Sequence, residues 1–258
     1  MADFRNSNVR VAGGVQAGAA IDEGLRAYML RVYNIMAMGL GITGVAAFVV
    51  AMYATTNDPA SAVATLGNGK MLTNLGAVLY GSPLKWVVML APLAMVFFLS
   101  FRIEKMSVSA AQTTFWIYAA MMGVSLSSIF LVFTGASITQ TFFVTAASFG
   151  ALSLYGYTTK KDLSGMGSFL IMGVFGLIIA MVVNIFLQST ALEFAISAIG
   201  VLIFAGLTAY DTQQIKEMYY EGDGQATAGR KAIMGALRLY LDFINLFMFM
   251  LQFLGNRE

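Results

Sequence analysis

The sequence predicts an all-α, polytopic membrane protein with about seven transmembrane helices, and three observations carry that prediction. Of 258 residues, 59% are hydrophobic and only 11% are charged, against the roughly 25% charge of an ordinary soluble domain. That leaves too little polar surface to keep a fold of this size dispersed in water. Apolar runs of the roughly 20 residues needed to cross a bilayer as a helix recur along the chain. The basic residues, finally, collect on alternate loops.

The elements follow in order. Residues 1–26 are polar and glycine-rich with no apolar core, so they do not form a cleavable signal peptide; they read as a flexible cytoplasmic tail. Residues 27–258 read as a single seven-helix transmembrane domain. Six strong apolar segments lie at 32–53, 84–103, 110–133, 138–157, 167–187 and 192–211. A seventh, 233–254, is weaker because Arg238, Asp242, Asn245 and Gln252 interrupt it. The one long loop, 54–83, carries the turn signals Asn57-Asp58-Pro59 and Gly67-Asn68-Gly69, with room for a short interfacial helix.

Orientation follows from the lysines and arginines. With the N-terminus in the cytoplasm and seven crossings, the inner side collects Arg5, Arg10, Arg26, Arg31, Arg102, Lys105, Lys160, Lys161, Lys216, Arg230, Lys231 and Arg238. The outer side keeps Lys70, Lys85 and Arg257. If the last segment only dips in and returns, the C-terminus lies inside instead; the basic residues do not separate these two cases.

Composition also excludes chemistry. Without cysteine or histidine there is no disulfide, no thiol nucleophile and no histidine switch, so any pH response near neutrality has to come from carboxylates. There is no metalloprotease His pair and no complete EF-hand loop. Gly67-Asn68-Gly69-Lys70 resembles the end of a phosphate loop, but Ala64 and Met71 break the pattern. No enzyme, bound cofactor or nucleic-acid partner is expected; the bilayer is the expected environment.

An ionisable residue inside a membrane is costly and marks a functional site by default. At 100° per residue, Lys231, Arg238, Asp242, Asn245 and Gln252 fall within an arc of about 80° on the last segment. Roughly 18 Å of helix follows Asp242, too little to cross a core of about 30 Å, so Asp242 lies below the surface. On the sixth segment, Glu193, Ser197, Gly200, Thr208 and Asp211 share a face that Phe204 interrupts. A glycine-rich connection (Gly222, Gly224, Gly229) lets the two helices return antiparallel with Asp211 and Asp242 at similar depth. Either aspartate alone reads as a helix-end residue paired with Arg238 or Arg102. Both together, on facing stripes, read as a functional pair, with Arg238, Asn245, Thr208 and Gln252 as the polar stripe beside it. Small stripes such as Gly173, Gly176 and Ala180 read as helix contact surfaces. Arg102 is either an interfacial anchor or a counter-ion for the pair.

The run Ala209-Tyr210-Asp211-Thr212-Gln213-Gln214-Ile215-Lys216, with Leu239-Tyr240-Leu241-Asp242-Phe243-Ile244-Asn245-Leu246-Phe247 about thirty residues on, resembles the Bax-inhibitor family, also called the transmembrane Bax inhibitor motif family. Lys160-Lys161-Asp162-Leu163 matches another recurrent piece of that family, and the long loop and N-terminal extension suggest its bacterial branch, in the inner (plasma) membrane. The resemblance implies a seven-helix fold whose last helix is central and wrapped by the other six. It implies a pH-sensitive calcium leak gated by an aspartate pair, carried over here as Asp211 and Asp242, with Arg102 as the arginine that holds the closed state.

Two carboxylates brought together in a low-dielectric site cannot both ionise cheaply and titrate as a coupled pair. A shared proton would lock the sixth and seventh helices together. Its loss would part them and offer oxygen ligands from Asp211 and Asp242, transiently, to a permeating Ca²⁺. Two rivals stand beside this expectation. An intramembrane aspartyl protease would need Gly-x-Gly-Asp at the second aspartate, where Leu239-Tyr240-Leu241-Asp242 stands instead. A regulator that binds other membrane proteins, among them a membrane-bound AAA protease, would act through residues 1–26.

Overall fold

A computed structural model describes the backbone of residues 5–256 and the side chains of residues 23–256. Seven of its helices are long and apolar enough to cross a membrane. They are α1 (Arg5–Ala54), α3 (Leu84–Arg102), α4 (Val108–Leu126), α5 (Gly135–Thr158), α6 (Ser164–Leu187), α7 (Thr190–Glu217) and α8 (Gln225–Leu254). Among the residues with described side chains, the apolar crossing of α1 lies within Glu23–Ala54. Residues 1–4, Arg257 and Glu258, and the side chains before Glu23 lie outside the described residues; the backbone of residues 5–26, read as a flexible tail, continues α1.

Every expected crossing is present, and most extend past the apolar run because polar residues continue the helix beyond hydrocarbon. Ser107, Thr134 and Ser189 start α4, α5 and α7 by accepting hydrogen bonds from the backbone N–H of Ala110, Ser137 and Leu192. The third crossing differs from the expected unbroken helix. It tightens to a 3-10 turn over Ser127–Leu131, where the Ser127 hydroxyl donates to the Val124 carbonyl at 2.6 Å and meets the Tyr80 hydroxyl at 2.7 Å. Side-chain hydroxyls that bond the backbone locally compete with the α-helical ladder.

The loop after α1 folds into a small crown. Strands β1 (Thr55–Thr56), β2 (Ala64–Thr65) and β3 (Met71–Leu72) pair antiparallel in the order β1-β3-β2. Gly69 makes the tight turn into β3 with φ of +84°, a conformation that glycine adopts without steric cost. A single helical turn, α2 (Asn74–Gly76), runs into a π turn at Ala77–Gly81, where the sequence left room for an interfacial helix. The crown bonds the end of the third crossing: Asn68 Nδ2 donates to the Leu131 carbonyl at 2.8 Å and Lys70 Nζ to the Phe130 carbonyl at 2.5 Å. These are carbonyls that a helix end leaves without intrahelical donors.

The C-terminus settles on the same face. Asn256 accepts from the Thr134 amide at 3.2 Å, and its own amide donates to Ser137 Oγ at 3.0 Å, so it is fastened beside the first turn of α5. The last helix therefore crosses completely, and α8 ends at the crown.

Its position is central. In its most apolar window 67% of residues are buried, against 11–33% in the other six. The principal neighbours of α8 are α1, α4, α5 and α7, while α3 packs on α4 and α6 on α7. The expected wrapping by six helices is thus an inner ring of four with two flanking helices. Close approach depends on missing side chains. A Cβ at Gly123 would meet the Thr43 carbonyl of α1 at 2.5 Å, and one at Gly156 would collide with the Ala209 carbonyl of α7. At the middle of the ring, Tyr240 of α8 packs edge-on against Phe115 and Tyr118 of α4 at 5.6 Å each, and its hydroxyl meets Thr43 Oγ1 at 2.6 Å.

Gly156→Val should cost about 1–3 kcal/mol through overpacking of α5 on α7, read as a lowered melting temperature in detergent. Gly150→Ala, on the same helix but with nothing within 4 Å of its Cβ position, should leave it unchanged.

Candidate functional site

The seam between α7 and α8 brings the two expected aspartates together. The helices run antiparallel through the short connection after Glu217, and Lys231 ties that connection down. Its Nζ donates to the Met218 carbonyl at 3.0 Å and to Asp223 Oδ2 at 2.5 Å. With the turn pinned, Asp211 stands opposite Asp242, and their carboxyl groups lie within hydrogen-bonding reach of each other. Asp242 is buried, Asp211 half-buried. Asp242 Oδ2 is fully enclosed and meets no N–H or hydroxyl donor among the described residues. Ionised carboxylates only accept hydrogen bonds, so two such groups bond each other only where one carries a proton.

The charge beside the pair is Arg238, one turn before Asp242 on α8, whose guanidinium acts on both carboxylates. Arg102 is elsewhere: it closes the last turn of α3 with its side chain exposed and is not among the groups acting on the pair. The physical reason is packing. The body of α3 lies against α4 and the turn at Ala77–Gly81; the turn that continues it, Ile103–Lys105, touches α8, but the Arg102 side chain itself is exposed.

Two other members of the stripe bond within their own helices. Thr208 is buried and donates to the Phe204 carbonyl at 2.8 Å, and Asn245 Nδ2 donates to the Leu241 carbonyl at 2.8 Å. Further toward the crown, Gln252 Oε1 accepts from Ser197 Oγ at 3.4 Å, and that hydroxyl also donates to the Glu193 carbonyl at 2.9 Å. Among the described residues no three acidic, histidine or cysteine side chains converge. Two carboxylates fall well short of the six to eight oxygens that Ca²⁺ takes.

Four sets of contacts have no counterpart in the sequence reading. Gln213 is buried and bonds the loop before α6 twice, accepting from the Leu163 amide at 2.8 Å and donating to the Lys161 carbonyl at 2.8 Å. Thus the Lys160–Leu163 stretch and the Asp211–Gln214 stretch, some 50 residues apart, are one structure. Asp162 caps the adjacent turn by accepting from the Ser164 amide at 2.8 Å, and that bond holds its carboxyl below the usual carboxylate range. Lys216 Nζ donates to the Tyr157 carbonyl at 2.9 Å, closing the end of α5. From α1, the hydroxyls of Tyr33, Ser153 and Thr212 run in a chain at 2.6 and 2.9 Å to the residue next to Asp211. The only sequence signal for these was polarity at apolar positions.

Fold and site define a polytopic helical membrane protein with two apposed carboxyl groups between its last two helices. Residues 25–258 match the family described as "Inhibitor of apoptosis-promoting Bax1", and the chain belongs to this Bax-inhibitor family. It is similar to an uncharacterized protein of Caulobacter vibrioides, 47% identical over 100% of both chains, and to the uncharacterized protein RP147 of Rickettsia prowazekii, 47% identical over 92% of each. It is also 46% identical to the inner membrane protein YbhL of Escherichia coli strain K12, over 91% of this chain and 94% of that one.

Gln213→Ala should leave a buried amide and carbonyl of the loop before α6 without partners, at about 1–3 kcal/mol. Hydrogen exchange checks it: the Leu163 amide should lose protection while amides in α4 keep theirs.

Proposed function

We propose that this protein is a pH-sensitive leak for calcium or a similar hard cation, gated by the Asp211–Asp242 pair. The observation that carries the reading is the pair itself: two carboxyl groups within hydrogen-bonding reach, enclosed between two antiparallel helices. While the proton is held, the carboxyls bond and α7 and α8 stay together. When it leaves, two like charges remain in a medium that screens them poorly, and the helices part at this end. Arg238 favours the ionised form of either carboxyl and so sets the pH at which the change occurs. The freed oxygens are the ligand type that hard cations take.

We place the crown outside and the opposite face in the cytoplasm, in the inner membrane. The described loops support this: Arg102, Lys105, Lys160, Lys161, Lys216, Arg230 and Lys231 lie on the face away from the crown, and Lys70 and Lys85 on the crown face, the asymmetry that sets topology. The pair then sits toward the cytoplasmic end of the seam, where it senses internal pH.

In proteoliposomes, calcium flux should rise as pH is raised through neutrality. Asp211→Asn and Asp242→Asn should each flatten that dependence, and an unchanged flux and pH profile in both would overturn the reading. Arg238→Gln should move the profile toward higher pH by about one unit, the scale of one nearby cation on a carboxylate. Arg102→Gln, on the exposed end of α3, should leave it in place.

A further inference from the structure

We infer that the stacked rings of Phe204 and Phe249 are the closed constriction of the α7–α8 seam, a hydrophobic gate separating the carboxyl pair from the crown face. Its physiological meaning rests on the leak reading above; its geometry does not.

The two helices keep one register along the seam. Asp211 faces Asp242, and Phe204 and Phe249 each stand seven residues further toward the crown. Seven residues are about two turns, or roughly 10 Å along the axis. At that level the rings stack with centroids 5.6 Å apart and planes inclined by 24°. Both are buried. The notch for Phe249 is made by Gly200, where a Cβ would lie 2.5 Å from the ring. Any larger residue at 200 would displace it.

What lies on either side gives the rings their role. Toward the basic face come Thr208, Asn245 and then the two carboxyls; toward the crown come Ser197 and Gln252, bonded to each other. The ring pair, with Leu207 and Leu246 buried beside it, forms one apolar layer between polar side chains at either end of the seam. A short apolar constriction between polar compartments excludes ions by expelling water, without a bond that must break. The carboxyl pair then controls when the helices part, and the rings control whether the parted seam conducts. Nothing but stacking and burial holds the rings.

The natural chain has no cysteine, so single cysteines report access without a background. Thr208→Cys and Gln252→Cys are probed in oriented vesicles with a membrane-impermeant methanethiosulfonate applied from the crown face. Gln252 is exposed and Thr208 fully buried, so Gln252→Cys should react and Thr208→Cys should not. Adding Phe249→Ala or Phe204→Ala should raise crown-face labelling of Thr208→Cys by about tenfold or more, with Phe249→Leu between. The unchanged Gln252→Cys rate, measured in each background, verifies the fold, and Phe249→Leu serves where an alanine variant does not assemble. Labelling of Thr208→Cys from the crown with both rings in place would overturn the gate, as would no increase in any ring variant. Because labelling needs no ion flux, a failure here is distinct from a failure of the aspartate variants to alter flux.

Discussion

A carboxyl group well inside the bilayer has no partner in hydrocarbon, whether it is ionised or carries its proton. Asp242 stands on a helix that crosses completely, so the helix that bears it has to be enclosed by protein. That constraint accounts for the arrangement of the others. Helices α1, α4, α5 and α7 close around α8, and α3 and α6 are left on the flanks. The flanking helices are the ones best suited to lipid. α6 has the highest hydropathy of the seven, 2.7, and only 11% of its window is buried, so it presents an almost unbroken apolar surface. The least apolar-looking crossing is central because it is the one that lipid cannot hold.

Enclosing a polar helix demands close packing without a hydrophobic driving force between helices, since lipid tails are as apolar as leucine. The protein meets that demand with small residues and with hydroxyls. Gly123 and Gly156 let backbones of neighbouring helices touch, and the chain from Tyr33 through Ser153 to Thr212 ties α1, α5 and α7 with bonds that have no competing water. Gln213 extends the same logic to the loop before α6. The contacts of Gly156, Thr212 and Gln213 converge on the turn of α7 that carries Asp211.

Along that seam the polar and apolar groups come in layers: the pinned connection at Lys231, the carboxyls with Arg238, the ring pair of Phe204 and Phe249, and the Ser197–Gln252 contact near the crown. Each layer has a different chemistry and would respond to a different change. In the proposed leak, a proton would act on the second and separation of the helices on the third.

Much of this was legible in the residues. Seven crossings follow from apolar length, and the pairing of Asp211 with Asp242 follows from two polar stripes at helical spacing joined by a short glycine-rich connection. Arg238 was legible as a member of its stripe; that it, rather than Arg102, faces the pair was not, because the choice depends on which helices touch α8. Periodicity reports one helix at a time. It shows which face is polar but not which neighbour meets it, so the exile of α3, the double bond from Gln213 to a loop fifty residues away and the stacking of Phe204 on Phe249 were decided only by the packed structure. Phe204 even read as an interruption of a polar face. Local spacing determined what each helix has to hide, and tertiary packing alone decided what it is hidden against.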